Sequence, residues 1–243
     1  MNDRFQNICI VLINTSHPGN IGAAARAMKT MCLKHLVLVD PKHYPHADAS
    51  ARASGADDIL ATAKICNTLD EAIGDCGLVL GASARLRRLS WPILDPQECA
   101  RVVMETPLEN KIAIIFGHEH SGLTNEELSR CHYLVNIPSN HEYGSLNLAA
   151  AVQIIAYELM RSSQKTESVN QVKSNERLAE ANDMQGFYEH LYETLLAIEF
   201  LEVDKPRKMM NRLRRLFNRA QPNKIEINIL RGILTAMQKK IRK

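Results

Sequence analysis

Three segments of the sequence carry polar side chains that could bind a ligand or take part in catalysis, and each follows an apolar run. They are residues 14–26, 116–123 and 137–149. In the first, a glycine-containing turn opens an alanine-rich helix, whose first backbone N–H groups would attract an anion. We expect Asn20 to cap this helix. Arg26 interrupts the alanines, and a guanidinium there requires an anionic partner or an open cleft.

The glycines of the first segment do not form a known nucleotide-binding loop. No Gly-Lys-Ser or Gly-Lys-Thr follows them, which excludes a Walker loop, and the third glycine of the dinucleotide fingerprint is missing. A nicotinamide-dependent oxidoreductase is therefore a disfavoured alternative.

The second and third segments suggest two further chemistries. His118, Glu119 and His120 could indicate zinc, but no third ligand stands at a typical spacing, and we predict no metal. Ser145 and Asn147 precede a helix, where both residue types are favoured as caps. A serine hydrolase would need Gly-x-Ser-x-Gly around its nucleophile, and the loop does not have it.

A fourth segment combines small residues with arginines. A strand is predicted to end in the glycine, alanines and serine of residues 81–84, which would let a ligand lie against the main chain. Arg85, Arg87 and Arg88 follow, and a cluster of guanidinium groups could hold phosphates.

These segments connect elements that alternate between strand and helix over the first 160 residues. Apolar strands are predicted at 8–13, 36–39, 78–80, 112–116 and 133–137, and helices at 21–31, 69–73, 124–130 and 148–160. The pattern predicts an α/β fold, with a mostly parallel sheet and helices on both faces. In such sheets ligands bind beyond the carboxyl ends of the strands, where the segments above are expected to lie.

The last third of the chain differs in composition. We predict a domain at 1–161, a polar linker at 162–182 and a helical extension at 183–243 that forms a small three-helix bundle. The apolar face of the middle helix is expected to comprise Met209, Leu213, Leu216, Phe217 and Ala220.

Charge is distributed unevenly between these parts. Residues 205–243 hold 13 basic side chains and one acidic side chain, whereas residues 1–160 carry a net charge of −4. The asymmetry favours a polyanionic partner such as nucleic acid. The candidate RNA contacts in the extension are Arg212, Arg214, Arg215 and Arg219.

Composition excludes several classes of protein. With 45% hydrophobic and 23% charged residues, the chain is neither disordered nor fibrous. It has no run of 18 uncharged apolar residues, so no membrane span is predicted, and its first residues lack the apolar core of a signal peptide. The six cysteines form no Cys-x-x-Cys pair, which favours reduced cysteines and a cytoplasmic protein.

Together the segments resemble the SPOUT family of knotted methyltransferases, in the branch that methylates ribose 2′-oxygens of RNA. The first family motif, Asn-x-Gly-x-x-x-Arg, is matched by Asn20, Gly22 and Arg26. The second, Phe-Gly-x-Glu, is matched by Phe116, Gly117 and Glu119, and the third, Ser-Leu-Asn-x-Ala, by Ser145, Leu146, Asn147 and Ala149. In the extension, residues 210–220 and 230–234 resemble members that methylate nucleotide 32 of the tRNA anticodon loop.

This resemblance implies a C-terminal trefoil knot, S-adenosylmethionine as cofactor, and a homodimer with a site shared between the chains. The cofactor-binding residues it implies are Ala82, Ser83, Ala84, Gly117, Ile137, Gly144, Ser145 and Leu146. The substrate would be tRNA, methylated on the ribose 2′-hydroxyl of the cytidine or uridine at position 32. Methylation of another tRNA or rRNA site, and a non-catalytic RNA-binding module of this fold, are the alternatives.

The catalytic residues that the resemblance implies are Arg26, Asn20, Glu119, Ser145 and Asn147. The family assigns removal of the hydroxyl proton to the position of Arg26, although a guanidinium is effectively always protonated. We therefore expect Arg26 to hold an RNA phosphate and stabilise the alkoxide, with that phosphate relaying the proton. We expect Glu119 to fix Asn20 and its loop, and Ser145 and Asn147 to orient the ribose or Arg26.

Overall fold

The computed structural model describes residues 3–84, 91–140, 142, 144–166, 177–201 and 206–241. After a 3-10 helix at Asp3–Asn7, the strands are β1 (Ile8–Ile13), β2 (His35–Val39), β3 (Lys64–Cys66), β4 (Cys76–Ala82), β5 (Ile93–Leu94), β6 (Lys111–Phe116) and β7 (Tyr133–Val135). The helices are α1 (Pro18–Thr30), α2 (Ala47–Ala53), α3 (Asp57–Ala61), α4 (Leu69–Ile73), α5 (Pro96–Glu105), α6 (Asn125–Leu128), α7 (Leu148–Thr166), α8 (Ala181–Ala197), α9 (Pro206–Ala220) and α10 (Lys224–Ile241).

The seven strands form one sheet in the order β3-β2-β1-β6-β4-β7-β5, and every strand pair described in it is parallel. Its strands are apolar because both faces are covered. In β1, Ile10 and Leu12 enter one buried cluster, with α1, α2, α5 and α7, while Val11 and Ile13 enter the cluster on the opposite face. Alternate residues of a strand point to opposite faces, so a strand buried on both sides has no polar positions.

The predicted fold class is confirmed: a parallel sheet with helices on both faces. Each predicted strand and helix of the first 160 residues is present, with ends that differ by a few residues. The structure adds β3, β5, α2, α3 and α5. Most of these elements are too short to show a periodic spacing of hydrophobic residues. For α5 a signal is present in the sequence, because Asp95 and Glu98 form a reciprocal capping box around Pro96.

The extension forms three helices around a separate apolar cluster that includes Phe187, Leu191 and Ile227. The expected face of α9 is wrong in part, since Leu216 is exposed and Ala220 is exposed as well, whereas Met210 and Asn218 are buried. The core-facing side of α9 therefore includes Met210, Arg214, Phe217 and Asn218, and it differs in part from the side predicted from hydrophobicity alone. Helix α7 continues to Thr166, into the segment predicted as linker.

Direct hydrogen bonds hold the extension against the sheet domain. Asn218 Nδ2 donates to the carbonyl oxygens of Ser129 and Cys131 at 3.3 and 3.2 Å. On the same side, the Asn110 side chain exchanges two hydrogen bonds with the backbone of Leu178, at 3.2 and 3.3 Å. The bundle is therefore attached through buried polar contacts as well as through its connection in the chain.

Candidate functional site

A cavity of about 320 Å³ lies beyond the carboxyl ends of β4, β6 and β7. Its lining includes all eight residues predicted to bind the cofactor: Ala82, Ser83, Ala84, Gly117, Ile137, Gly144, Ser145 and Leu146. Apolar side chains of Phe116, Leu123, Val135 and Leu148 form much of the remaining wall. Strand order explains the convergence, because β1, β6, β4 and β7 are neighbours and their C-terminal loops leave the sheet at one edge.

The loop after β6 turns back tightly to form one wall of this cavity. The Gly122 N–H donates to the His118 carbonyl at 2.9 Å, and Gly122 has a φ of 67°, in the left-handed region. At Gly117 an added Cβ would lie 2.4 Å from backbone atoms of Gly122 and Leu123. Glycine is therefore required at position 117 by the close approach of the two arms of the loop.

Glu119 connects this loop to the start of α1. Its carboxylate accepts hydrogen bonds from Ser16 N at 3.0 Å, His17 N at 3.2 Å and Asn20 Nδ2 at 2.6 Å, and from the Ser16 hydroxyl. Partial burial opposes ionisation, but these hydrogen bonds together hold the pKa of Glu119 below its ordinary value. The carboxylate is therefore the charged centre that orders the first loop.

Asn20 connects the same network to the third segment. Its side-chain oxygen accepts a hydrogen bond from Asn147 Nδ2 at 3.0 Å, while Asn147 Oδ1 accepts from Ala149 N at 2.9 Å and so caps α7. One chain of contacts, Glu119 to Asn20 to Asn147, thus joins all three motif segments. The expected contact of Asn147 with Arg26 is not made within the described residues.

The expected capping role of Asn20 is wrong. Helix α1 begins at Pro18, and His17 Nδ1 accepts a hydrogen bond from Gly19 N at 3.1 Å, so His17 is the cap. Proline at the first helical position is favoured because its fixed φ suits the helix and its missing N–H is not needed there. Asn20 therefore lies inside the first turn, and its side chain is available to Glu119.

Two residues important for this loop were not identified from the sequence. Ser16 supplies two of the donors to Glu119, and His17 supplies a third donor as well as the helix cap. Their signal is the order of residue types, a polar pair followed directly by proline at the start of a helix. The glycine of the first motif has a packing role: at Gly22 an added Cβ would lie 1.9 Å from the Ala49 carbonyl oxygen in α2.

Arg26 occupies a different position from the other predicted catalytic residues. It is exposed on α1 and does not line the cavity. Its side chain forms no hydrogen bond or ion pair with any part of the chain that the structure describes. Ser145, in contrast, lies at the mouth of the cavity. The guanidinium is thus free to contact a substrate or a second copy of the chain.

The three residues of the His118–His120 triplet have different surroundings. Glu119 orders the first loop, His118 Nε2 lies 3.7 Å from Glu127 Oε1, and His120 is exposed. Within the described ranges, no cluster of three or more His, Cys, Asp or Glu side chains could hold a metal ion. Among the same residues, no helix is both long enough and apolar enough to span a membrane.

The structure separates the four arginines of α9 that are predicted to contact RNA. Three of them line a groove that is separate from the cavity, together with Trp91: Arg212, Arg215 and Arg219. Arg214 instead donates two hydrogen bonds to Gln185, both at 3.1 Å, and its guanidinium lies 4.4 Å from the centre of the Tyr188 ring. Burial within the bundle lowers the pKa of Arg214. The predicted RNA contacts Arg85, Arg87 and Arg88 lie outside the described residues.

Comparisons with known proteins place the two parts of the chain in related groups. The model of the SpoU rRNA methylase family matches residues 7–157, and the model of the C-terminal domain of the tRNA methyltransferase TrmJ matches residues 182–243.

Similar proteins match over nearly the whole chain. A tRNA (cytidine/uridine/adenosine-2′-O-)-methyltransferase from Pseudomonas aeruginosa is 53% identical, over 96% of this chain and 94% of the relative. A tRNA (cytidine/uridine-2′-O-)-methyltransferase from Escherichia coli K12 is 51% identical, over 96% of each chain. The crystal structure of TrmJ from Zymomonas mobilis superimposes with a TM-score of 0.83, at 31% identity, over 95% of this chain and 98% of that one.

Proposed function

The chain belongs to the SpoU rRNA methylase family, and on that basis we propose that it methylates the ribose 2′-hydroxyl of cytidine or uridine at position 32 of the tRNA anticodon loop, with S-adenosylmethionine as donor. The observation that carries the proposal is the chain of hydrogen bonds from Glu119 through Asn20 to Asn147, which joins the three motif segments beside a cavity lined by the second and third. Relatives named as tRNA 2′-O-methyltransferases, about half identical over nearly their full length, support the choice of tRNA as substrate.

The residues of the cavity suit the proposed cofactor. The volume falls in the range of cavities that bind small ligands. Apolar walls would accept the adenine ring, and the small side chains at Ala82, Ala84, Gly117 and Gly144 let a ligand approach the main chain. When bound, S-adenosylmethionine supplies an activated methyl group, so the protein's work is to align the ribose and to assist loss of its proton.

The network of Glu119, Asn20 and Asn147 would hold the loops of this cavity in a fixed geometry. Ser145, at the mouth of the cavity, is placed to contact the ribose. Arg26 would bind an RNA phosphate and stabilise the developing alkoxide, since its charge is permanent. Because Arg26 is exposed and does not line the cavity of its own chain, we propose that it acts at the cavity of the second chain in a homodimer.

The proposal assigns a role to each part of the chain. Residues 1–161 would carry methyl transfer and the trefoil knot that the family implies, residues 162–182 would connect the two parts, and residues 183–243 would contribute to tRNA binding. The reaction would take place in the cytoplasm, on tRNA that is already folded.

The test is to incubate unmodified tRNA with the protein and S-adenosylmethionine and to map ribose methylation at each nucleotide. The expected result is methylation at position 32 only, in tRNAs that carry cytidine or uridine there. Methylation elsewhere in tRNA, or only in rRNA, would support the alternative substrates, and binding without methylation would support a non-catalytic module.

The nucleotide scope can be tested in the same assay. The P. aeruginosa relative is named for adenosine as well as cytidine and uridine, whereas the E. coli relative is named for the two pyrimidines. A tRNA with adenosine at position 32 therefore belongs in the substrate set, and its methylation would extend the proposed activity to a purine.

A further inference from the structure

Helix α10 has apolar side chains on two different sides. One side faces the interior of the three-helix bundle, where Ile227 and Leu234 are buried. The other side is open to solvent, and its large side chains have exposed fractions of 68%, 59%, 53% and 37%, in the order Ile225, Ile229, Ile233 and Met237. A helix that is apolar on both sides is normally covered on both.

The four exposed side chains form one continuous ridge. They are spaced by four residues, and side chains at that spacing are neighbours on the surface of a helix. From residue 225 to residue 237 the ridge is about 18 Å long, at 1.5 Å per residue. Single apolar side chains scattered over a surface are ordinary, whereas a contiguous row of this length indicates a contact surface.

A furrow runs beside this ridge on the same side of α10. Its floor is formed by Gly232 and Ala236, which are exposed and directly precede Ile233 and Met237 in the sequence. An added Cβ at Gly232 would meet no atom within 4 Å, so the floor of the furrow is open. Residues four apart form the rows of a helix surface, and the small side chains of this row would let a second helix come close.

The ridge and the furrow make this side of α10 complementary to itself. Helices pack by placing the ridge of one into the groove of the other, and α10 carries both features. In an antiparallel pair with a twofold axis between Gly232 and Ile233, Ile229 of each copy would lie over Ala236 of the other. Ile233 of each copy would lie over Gly232 of the other. Such a contact uses the same surface on both copies, as twofold symmetry requires.

The charges at the two ends of α10 favour the antiparallel direction. Glu226 lies in the first turn of the helix, and Lys239 and Lys240 lie in the last. All three side chains are exposed. The same twofold axis would place Glu226 of each copy next to the two lysines of the other, so opposite charges meet at both ends of the pair. The helix dipoles also oppose each other in this direction, which a parallel pair would not allow.

Two properties of the extension limit the strength of this contact. Each partner of a stable complex commonly contributes about 800 Å², and one helix face of this length provides roughly half of that. Residues 205–243 are also strongly basic, so two copies repel each other at low salt. We therefore expect a weak contact that becomes stronger as salt screens the repulsion, and that is best measured by trapping it.

We propose that the exposed side of α10 binds α10 of a second copy of this chain, in an antiparallel pair around a twofold axis between Gly232 and Ile233. The contact joins the two extensions directly. It goes beyond the proposed function, because neither the cavity nor tRNA takes part in it, and its failure would leave the proposed methyl transfer untouched.

The test is disulfide crosslinking of the full chain carrying both Ile229→Cys and Ala236→Cys. Within one copy these positions are about 10 Å apart along α10, whereas a disulfide needs Cα atoms within about 7 Å. A disulfide between them therefore joins two copies, and a gel run without reductant after mild oxidation measures it. The expected yield of crosslinked dimer is roughly fivefold or more above that of either single-cysteine variant and of the unsubstituted protein. A yield equal to theirs would overturn the proposal.

A charge placed on the ridge tests whether the apolar contact drives the pairing. In the double-cysteine chain, Ile233→Glu should abolish the crosslink, because the carboxylates of the two copies would face each other beside the axis without a partner. Thr235→Glu is the matched control, since it adds the same charge at an exposed position outside the ridge, and it should preserve the crosslink. Both substitutions alter exposed side chains, and thermal unfolding checks that both variants fold. Equal yields in the two folded variants would contradict the pairing.

Salt and sedimentation distinguish other occupants of this side of α10. The crosslink should form without tRNA and should increase as KCl is raised from about 50 to about 500 mM, because screening reduces the repulsion between the basic extensions. A crosslink that requires tRNA and decreases with salt would assign the contact to bridging nucleic acid and overturn the proposal. Loss of association by Ile233→Glu in sedimentation, without crosslinking of Ile229→Cys to Ala236→Cys, would place a different surface of the second copy on α10 and would also overturn it.

Discussion

Replacing Glu119 with glutamine removes the charged centre that joins the three motif segments while preserving the shape of the side chain. The carboxylate accepts hydrogen bonds on both oxygens, two from Ser16, one from His17 and one from Asn20. A glutamine retains one oxygen, and its NH2 group then faces the donors on the other side. The Glu119→Gln variant therefore loses about two of these contacts and makes the others neutral.

The expected cost follows from the strength of such contacts. Hydrogen bonds to charged groups contribute roughly 1.5–3 kcal/mol each, and Glu119 is only partly buried, so we expect a loss of about 2–3 kcal/mol in the free energy of unfolding. For a chain of this size that loss lowers Tm by roughly 5–10 °C. Loops displaced by about 1 Å would reduce methyl transfer by roughly 100-fold.

The assay combines thermal unfolding with transfer of labelled methyl groups to tRNA. Glu126→Gln is the matched control, because it removes the same charge from an exposed position in the nearby α6, and it should change the free energy of unfolding by no more than about 0.5 kcal/mol. The reasoning is refuted if Glu119→Gln matches the control in both Tm and turnover.

Three further predictions concern other parts of the molecule. Arg26→Ala should abolish methyl transfer with nearly unchanged S-adenosylmethionine affinity. If the arginine acts across a symmetric dimer, mixing this variant with a cavity variant such as Ser145→Trp should restore up to about a quarter of the active sites. No restoration would place the action of Arg26 within one chain. Burial lowers the pKa of His132 from 6.5 to about 4, so as the pH falls the unfolded chain binds a proton at this histidine before the folded chain does. The free energy of unfolding should therefore fall by about 2 kcal/mol between pH 7 and pH 5. Urea unfolding should show that His132→Gln reduces this dependence on pH. Gly22→Ala should destabilise the protein by roughly 1–3 kcal/mol through the clash with the Ala49 carbonyl. Gly232→Ala, with no neighbour near the new Cβ, should stabilise the helix by about 0.5–1 kcal/mol. Similar Tm values for the two variants would contradict the packing argument.

The sheet was predictable from sequence because its strands are buried on both faces and therefore read as continuous apolar runs. Shorter elements were not, since β3 and β5 span three and two residues and show no period. The order of the strands also could not be predicted from sequence patterns. β6 lies between β1 and β4. This arrangement, rather than any local signal, brings the loops after β4, β6 and β7 to one cavity and places the loop after β1 against Glu119.

Side-chain partners show the same division between local and tertiary information. A contact of Glu119 with Asn20 could be expected from the motifs. To predict that His17 caps α1, however, the order Ser16, His17, Pro18 had to be recognised as the start of a helix. The distinction between Arg214 and its neighbours depends on packing. Arg214 lies one helical turn from the buried residues Met210 and Asn218, and only the position of α8 shows that this side of the helix is covered.

The central claim is that the loops after β4, β6 and β7 form one binding site for S-adenosylmethionine, and calorimetry tests it most directly. The unsubstituted protein should bind one S-adenosylmethionine per chain and no NAD. Ser145→Trp, which fills the mouth of the cavity, should weaken that binding at least tenfold, whereas Ser50→Trp on the exposed side of α2 should not change it. Equal affinity in the two tryptophan variants, or no binding by the unsubstituted protein, would contradict the account.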